Sequence, residues 1–283
     1  GMRSRLDYLS NLGITALYLN PIFHAASNHR YDTGDYETID PLLGTEKEFA
    51  DFLTDCKSRG ISVVLDGVFN HCGSFNKWLD RERIYENAQG YEKGAYVDKE
   101  SPYRNYFHFY NENQWPYNPS YDGWWGHDTL PKLNFEASKE LTDYILYIGK
   151  KWVSAPYNAD GWRLDVAADL GRSPEFNHNF WKQFRKAVKE ANPNAIILAE
   201  HYGDPKSWLR GDEWDTVMNY DAFMEPLTWF LTGMEKHSDQ KNPQMKGDST
   251  GMLNALKYNM SKMLLPSVMV SMVLANVSVS PSL

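Results

Sequence analysis

Apolar residues follow two alternating patterns along the chain, one with helical spacing and one in short continuous runs. Apolar side chains three or four residues apart predict helices over residues 6–12, 49–56, 141–152, 176–188 and 227–234. Runs that favour β-structure predict strands over residues 14–19, 61–66, 161–166, 195–200 and 216–220. The pattern therefore predicts strands and helices that alternate about five times.

Residues that typically begin or end helices support the predicted helix boundaries. Thr45 and Glu48 precede the second helical stretch with the spacing of a capping box. Pro174 follows Ser173, a pair typical of the first turn of a helix. Gly60 comes directly after the second helical stretch, where a helix commonly ends.

The predicted strands are apolar on both faces, which is typical of a parallel sheet covered by helices. No glycine-rich phosphate-binding turn follows any of them, which argues against a nucleotide-binding sheet. Instead Asp66, Asp165 and Glu200 each stand at the carboxyl end of a strand. Parallel barrels build their active sites at that end. The sequence therefore favours an α/β fold of the (β/α)8 TIM type.

Asp165 and Glu200 are the predicted reactive pair. They are 35 residues apart, about one strand–helix unit, so we expect their strands to be neighbours. Neighbouring strands lie ~4.8 Å apart, which fits the separation of about 5–5.5 Å between the carboxyl groups of a retaining glycosidase.

Arg163 precedes Asp165 by two residues and therefore shares its face of the strand. A guanidinium there would keep Asp165 ionised as a nucleophile and leave Glu200 as the proton donor. From the spacing alone, a buried Arg–Asp pair that only braces the barrel is an open alternative.

Composition limits the classes of partner. Lys and Arg total 29 against 37 Asp and Glu, a net charge of −8, which argues against nucleic acid and anionic membranes. The longest apolar stretch, residues 268–277, is too short to span a bilayer. Residues 1–20 lack the apolar segment of a signal peptide. Cys56 and Cys72 alone cannot form a disulfide scaffold.

Aromatic residues make up 14% of the chain and are concentrated in residues 85–125. This stretch lacks both periodicities and lies in a longer irregular segment, residues 71–130, that interrupts the strand–helix alternation. Rings on a polar, irregular segment suit stacking on sugar faces. The alternative is a loop-rich subdomain whose rings pack on one another, and the two interpretations are compatible.

Several segments resemble those that characterise the alpha-amylase family of glycoside hydrolases. Three of them end or follow predicted strands: residues 66–71 (DGVFNH), 161–167 (GWRLDVA) and 199–201 (AEH). Residues 130–134 (LPKLN) are similar to the segment that marks the neopullulanase, cyclomaltodextrinase and maltogenic-amylase branch. Residues 29–36 (HRYDTGDY) resemble the loop after the second barrel strand. The resemblance covers roughly residues 1–240.

This resemblance implies roles for individual residues of the reactive centre. Asp165 matches the nucleophile that forms a covalent glycosyl intermediate. Glu200 matches the acid/base that protonates the leaving oxygen. Arg163 matches the arginine beside the nucleophile.

The resemblance also implies a set of substrate-binding residues. His71 matches a histidine that hydrogen-bonds the sugar at the cleavage subsite, and Tyr31 matches an aromatic that stacks on that sugar. Asp66 and Asn70 are similar to residues that organise the site. His201, beside the acid/base, is expected to contact a subsite rather than a metal.

By the family's strand count, the barrel is expected to be incomplete. Its first and eighth strands are missing and its seventh, at residues 264–270, is partial. The loop-rich subdomain, residues 71–130, follows the third strand and separates barrel segments 1–70 and 131–283.

The family's third carboxylate, from a His-Asp pair near the end of the seventh strand, has no counterpart here. Residues 275–281 stand in its place. We therefore expect a fragment of a longer enzyme, with a tail that a frameshift would explain. Hydrolysis by this polypeptide alone is expected to be very weak or absent.

The predicted function is a retaining glycoside hydrolase that cleaves α-glucosidic bonds in maltooligosaccharides, cyclodextrins or pullulan by double displacement. Two alternatives within the family stay open: a fragment that only binds α-glucans, and a transglycosylase. A nucleotide-dependent α/β enzyme is disfavoured because the phosphate-binding turn is missing.

No cofactor is expected, and no metal. Calcium is compatible with the loop-rich segment, but no acidic ligand cluster indicates it, and His24 and His29 are poorly spaced as ligands. The expected partner is an α-glucan, without nucleic acid or membrane, and the full-length enzyme is expected to be a homodimer. The expected location is cytoplasmic, with an extracellular one left open.

Overall fold

The structure, a computed structural model, describes residues 1–235 and 240–263. The chain divides into two units, Gly1–Ile197 and Leu198–Leu283. The predicted partial strand at residues 264–270 and the segment at 275–281 lie outside the described residues.

Helices and strands follow one another much as the apolar pattern predicts. In chain order they are α1 (Leu6–Asn11), β1 (Ala16–Tyr18), β2 (Phe23–Ala25), β3 (Thr33–Ile39), α2 (Glu46–Ser58), β4 (Ser62–Gly67), α3 (Lys139–Lys151), β5 (Gly161–Leu164), α4 (Pro174–Ala191), β6 (Ile196–Ala199), β7 (Thr216–Val217), α5 (Glu225–Thr232) and α6 (Ser249–Met260). Short 3-10 helices lie at Met2–Arg5, Arg104–Tyr106, Trp124–Gly126, Phe135–Ala137, Ala167–Asp169 and Pro243–Met245, and a short π-helix lies at Tyr220–Met224.

Parallel strands form the main sheet of the first unit. β4 pairs with β1 on one side and with β5 on the other. The register sets Asp66 opposite Arg163. β6 begins in this unit, where the Ile196 N–H donates to the Asp160 carbonyl at 2.8 Å. The carboxyl ends of β4 and β5 therefore lie side by side.

The predicted capping box is confirmed. The Thr45 hydroxyl accepts a hydrogen bond from the Glu48 N–H, and the Glu48 carboxylate accepts one from the Thr45 N–H. The four predicted apolar positions of α2 are all buried: Phe49, Phe52, Leu53 and Cys56. Local sequence thus determines both the start of this helix and the face that it buries.

An antiparallel hairpin, β2–β3, follows β1 and was not indicated by the apolar pattern. β3 has the polar sequence TGDYETI, yet much of it is buried. Its Tyr36 is fully buried, and the hydroxyl lies 2.8 Å from the Val68 carbonyl and 3.0 Å from the His71 carbonyl. The hairpin is therefore held by side chains that bind the loop after β4.

Residues 71–130, all of which the structure describes, form neither an α-helix nor a strand. Most of their rings pack on one another, as in the contact of Phe109 with Trp115 at 4.7 Å between ring centroids. Tyr91, Tyr110 and Trp125 are exposed. The self-packed alternative therefore describes most of this aromatic segment.

The second unit contains a short pair of parallel strands. In it, Leu198 and Ala199 of β6 pair in parallel with Thr216 and Val217 of β7. α6 is joined to the turn that follows β7 by a hydrogen bond from Asn259 Nδ2 to the Asp221 carbonyl, at 2.7 Å. Within residues 1–235 and 240–263, no helix is long and apolar enough to cross a membrane.

α3 and α4 pack closely at Gly149. A Cβ at this position would come within 2.6 Å of the Phe184 ring. The Gly149 carbonyl also accepts a hydrogen bond from the indole of the fully buried Trp162, at 2.9 Å. Because glycine has no side chain, α3 and α4 can approach each other closely at this position.

We expect Gly149→Ala to destabilise the protein. Alanine favours a helix by roughly 1 kcal/mol over glycine, but overpacking a rigid core costs about 1–3 kcal/mol. The net loss of unfolding free energy should be about 1 kcal/mol in chemical denaturation. Lys150→Ala, at an exposed position of the same helix, is the control and should change stability by about 0.5 kcal/mol or less. A more stable Gly149→Ala variant would contradict the packing argument.

Candidate active site

Three charged side chains meet at the carboxyl ends of β4 and β5. Arg163 Nη1 lies 3.0 Å from Asp66 Oδ1 and 2.8 Å from Asp165 Oδ1. None of the three is more than 8% exposed. Arg163 lies on β5 and Asp165 follows directly after its last residue, and the contact between them shows that their side chains lie on the same side of the chain, as predicted. With both carboxyl groups ionised, one guanidinium faces two carboxylates, and the cluster has one net negative charge.

Two tyrosines complete the surroundings of Asp66. The Tyr31 hydroxyl donates to Asp66 Oδ2 at 2.9 Å, and the Tyr18 hydroxyl donates to the same oxygen. Burial, and then the Asp66 carboxylate, raise the pKa of both tyrosines well above the ordinary value, so both remain donors. Burial also raises the pKa of Asp66, while Arg163 and the two hydroxyls oppose that rise.

The chain turns sharply directly after Asp165. Val166 has φ 38° and ψ 47°, in the left-handed region that a β-branched residue rarely occupies. Such strain persists only where the surrounding structure imposes it, and it is concentrated at functional sites. The 3-10 helix Ala167–Asp169 begins at the next residue.

His71 is buried between the amide of Asn70 and an aromatic ring. Its Nδ1 is 3.0 Å from Asn70 Nδ2. Trp124 stacks on the imidazole with ring centroids 5.1 Å apart and an interplanar angle of 19°. His71 Nε2 is buried and has no hydrogen-bond partner among the residues that the structure describes. Burial, and then the charge of Lys132, lower the pKa of His71 to about 3, so the ring is neutral.

Lys132 binds the other end of the Asn70 amide. Its Nζ lies 2.5 Å from Asn70 Oδ1 and 3.3 Å from the Leu170 carbonyl, and it also donates to the Asp169 carbonyl. Burial lowers the pKa of Lys132 to about 8. The ammonium group thus joins the loop after β4 to the turn after β5.

Glu200 and His201 belong to the second unit, directly after β6. The Tyr220 hydroxyl donates to Glu200 Oε1 at 3.4 Å. The His201 ring lies 5.6 Å from Trp214, between ring centroids, and Trp214 stacks on Trp208. The expected closeness of Asp165 and Glu200 stays a prediction.

The first unit therefore holds six of the eight predicted site residues, in two groups of contacts. Tyr31, Asp66, Arg163 and Asp165 form one group, and Asn70 and His71 form the other. Sequence reasoning missed Tyr18, Lys132 and Trp124. Lys132 is part of the LPKLN segment but had no role assigned to it. Tyr18 is part of a predicted strand, and Trp124 is part of the aromatic-rich segment. Nothing in those patterns distinguishes them from structural residues.

Within the described ranges, 1–235 and 240–263, no three or more His, Cys, Asp or Glu side chains are grouped so as to hold a metal ion. The polar groups at the strand ends bind one another instead.

Comparison with known proteins identifies the family. Residues 1–276 match the family described as alpha amylase, catalytic domain. The chain belongs to the alpha-amylase family. The predicted family is thereby confirmed.

The chain is similar to several curated proteins over most of its own length. It is 40% identical over 235 residues to a cyclomaltodextrinase of Geobacillus thermopakistaniensis (strain MAS1), covering 81% of this chain and 36% of that protein. It is 34% identical over 259 residues to an amylopullulanase of Thermoanaerobacterium saccharolyticum, covering 86% of this chain and 19% of that protein. The chain thus spans about a third or less of these two relatives.

Solved structures agree with this assignment. The debranching enzyme of Nostoc punctiforme matches with a TM-score of 0.77 and 33% identity, over 94% of this chain and 54% of that one. The cyclic α-maltosyl-(1→6)-maltose hydrolase of Arthrobacter globiformis matches with a TM-score of 0.73 and 32% identity, over 94% of this chain and 53% of that one. The predicted fold class, a TIM-type α/β barrel present in part, is confirmed.

We expect the neutral, buried His71 to make stability depend on pH. Its pKa is about 3 in the folded chain and about 6.5 when unfolded. Above about pH 6.5 the ring is neutral in both states, and the folded chain has its full stability. As pH falls from 6.5 toward 3, the unfolded chain binds a proton that the folded chain does not, so the free energy of unfolding falls. From pH 7 to pH 5, the unfolding free energy of the wild type should fall by about 2 kcal/mol more than that of His71→Gln.

Chemical denaturation at several pH values measures this difference. His127→Gln, at an exposed histidine, controls for the removal of one imidazole. Parallel pH profiles for the wild type and His71→Gln would contradict the neutral state of His71.

Proposed function

We propose that this chain supplies the reactive centre of a retaining α-glucan hydrolase that acts by double displacement. The observation that supports the proposal most directly is Asp165, buried at a strand end and held 2.8 Å from Arg163. The guanidinium stabilises the carboxylate and orients it, as a nucleophile at a sugar carbon requires. Glu200, at the end of β6, is the only other carboxylate that we assign to the reaction.

The reaction has two steps. In the first, a carboxylate oxygen of Asp165 forms a bond to the anomeric carbon, while the glycosidic bond breaks and Glu200 gives its proton to the leaving oxygen. In the second, Glu200 takes a proton from water, the water oxygen bonds to the anomeric carbon, and the Asp165 oxygen leaves. The two inversions yield net retention of the anomeric configuration.

Electrostatics favour this reaction at the cluster of Asp66, Arg163 and Asp165. The transition states have the character of an oxocarbenium ion, with positive charge at the sugar carbon and ring oxygen. One net negative charge, buried and fixed in position, stabilises that charge more than it stabilises the neutral sugar. The Tyr18 and Tyr31 hydroxyls keep Asp66 in place without adding charge.

Neutral donors serve for recognition of the sugar. His71 Nε2 is a buried ring atom that has no hydrogen-bond partner within residues 1–235 and 240–263, and it can hydrogen-bond a sugar hydroxyl. Tyr31 is assigned to the same sugar, and His201 to a neighbouring subsite. The relatives' names (cyclomaltodextrinase, amylopullulanase and maltogenic alpha-amylase) support maltooligosaccharides, cyclodextrins or pullulan as the substrate class.

The test uses α-maltosyl fluoride, whose fluoride leaves without a proton. Glu200→Gln should still form the covalent intermediate but should resolve it slowly, because no base activates water. Intact-mass spectrometry should therefore detect a maltosyl adduct on Asp165 in this variant, and none in Asp165→Asn. Turnover of maltotriose, which we expect to be very weak in this polypeptide alone, should fall below detection in both variants.

Glu190→Gln and Asp143→Asn, both at exposed positions, are the matched controls and should behave like the wild type. Glu200→Gln that binds maltotriose but never forms the adduct would refute the catalytic roles and support the glucan-binding alternative. A product first released with inverted configuration, detected by NMR, would refute double displacement.

A further inference from the structure

We propose that Lys132 is a positioning residue which, through the amide of Asn70, holds His71 in the tautomer that has its proton on Nε2. The assignment of the tautomer follows from hydrogen-bond chemistry alone. Only its consequence for sugar binding rests on the proposed function.

Lys132 determines which way the Asn70 amide points. An ammonium group has donors and no acceptor. The side-chain atom of Asn70 that faces Nζ, at 2.5 Å, must therefore be the carbonyl oxygen. The amide nitrogen consequently faces His71.

The amide in turn determines the tautomer of His71. An amide nitrogen has donors only, and Asn70 Nδ2 lies 3.0 Å from His71 Nδ1. Nδ1 must accept this hydrogen bond and therefore bears no proton. The buried imidazole is neutral, so its single proton is on Nε2.

Two backbone carbonyls keep Lys132 in position. Nζ also contacts the carbonyl oxygens of Asp169 and Leu170, which belong to the segment that follows Asp165. The ammonium thus meets three oxygens from two loops, and hydrogen bonds to a charged donor are shorter and stronger than neutral ones. The pKa of about 8 leaves the group mostly protonated at pH 7 despite its burial.

The consequence is a donor of fixed direction at the site. Nε2 is buried and has no partner among the described protein groups, so its N–H is available to an oxygen of the ligand. Trp124 stacks on the ring and limits its rotation. If the proposed function holds, this N–H meets a hydroxyl oxygen of the sugar. The other tautomer would instead present a lone pair, which can only accept.

The experiment reads the tautomer directly by NMR. The full chain is labelled with ¹⁵N-histidine, and a long-range ¹H–¹⁵N spectrum distinguishes the protonated from the bare ring nitrogen. Comparison with His71→Gln assigns the signals of His71. The wild type should show a protonated Nε2 and a bare Nδ1. A protonated Nδ1 in the wild type would overturn the proposal, whatever the variants do.

Two variants test the roles of Lys132 and Asn70 separately. Lys132→Met keeps an unbranched chain but has no donor, so the amide can reverse and the His71 signals should indicate a mixture of tautomers. Asn70→Asp leaves only acceptors beside Nδ1, so the proton should move to Nδ1. Lys132→Arg retains a charged donor and should restore the wild-type spectrum. A folded Lys132→Met variant with an unchanged tautomer would refute the role of Lys132.

Maltotriose binding then separates this proposal from the proposed function. Loss of one charge-neutral hydrogen bond to the sugar should weaken maltotriose binding by Lys132→Met about 5- to 15-fold, which corresponds to about 1–1.5 kcal/mol. A shifted tautomer with unchanged binding would confirm the positioning of His71 and refute its contact with the sugar. An unchanged tautomer with weaker binding would refute the positioning role of Lys132.

Discussion

The arrangement at the strand ends depends on Arg163. Its guanidinium is buried with Asp66 on one strand and Asp165 after the next, and it contacts both. A buried charge is tolerated only when it is paired, so the ion pairs hold the ends of β4 and β5 in register as well as orienting Asp165. With both carboxyl groups ionised, the three side chains have one net negative charge where the proposed reaction develops a positive one. One interaction therefore serves both the fold and the chemistry.

Around this cluster, the orientation of each polar side chain is determined by a neighbour that can only donate or can only accept hydrogen bonds. Asp66 receives hydrogen bonds from Tyr18 and Tyr31, and Lys132 donates to Asn70 and to two carbonyls. Each group of this kind removes an alternative orientation from its neighbour. A site organised in this way is rigid before a ligand arrives, so little binding energy is needed to order it.

Much of the fold and part of the site could be predicted because the relevant rules are local and periodic. The capping box at Thr45 and the stripe of α2 depend on residues three or four apart. The shared face of Arg163 and Asp165 depends on the two-residue repeat of a strand. By contrast, the hairpin β2–β3 has a polar sequence and is held by the remote contacts of Tyr36. No local pattern indicates such contacts.

The class of fold, the family and the acidic and basic residues at the strand ends could be read from the residue order, since they follow from periodicity and short motifs. The side chains that support them could be identified only from the contacts of the folded chain. Tyr18 is one residue of an apolar run, and Lys132 stands 62 positions after the amide that it binds. Their roles depend on the direction of single hydrogen bonds between distant segments. The direction of each hydrogen bond is determined when the segments pack together, and it cannot be predicted from the order of residues along the chain.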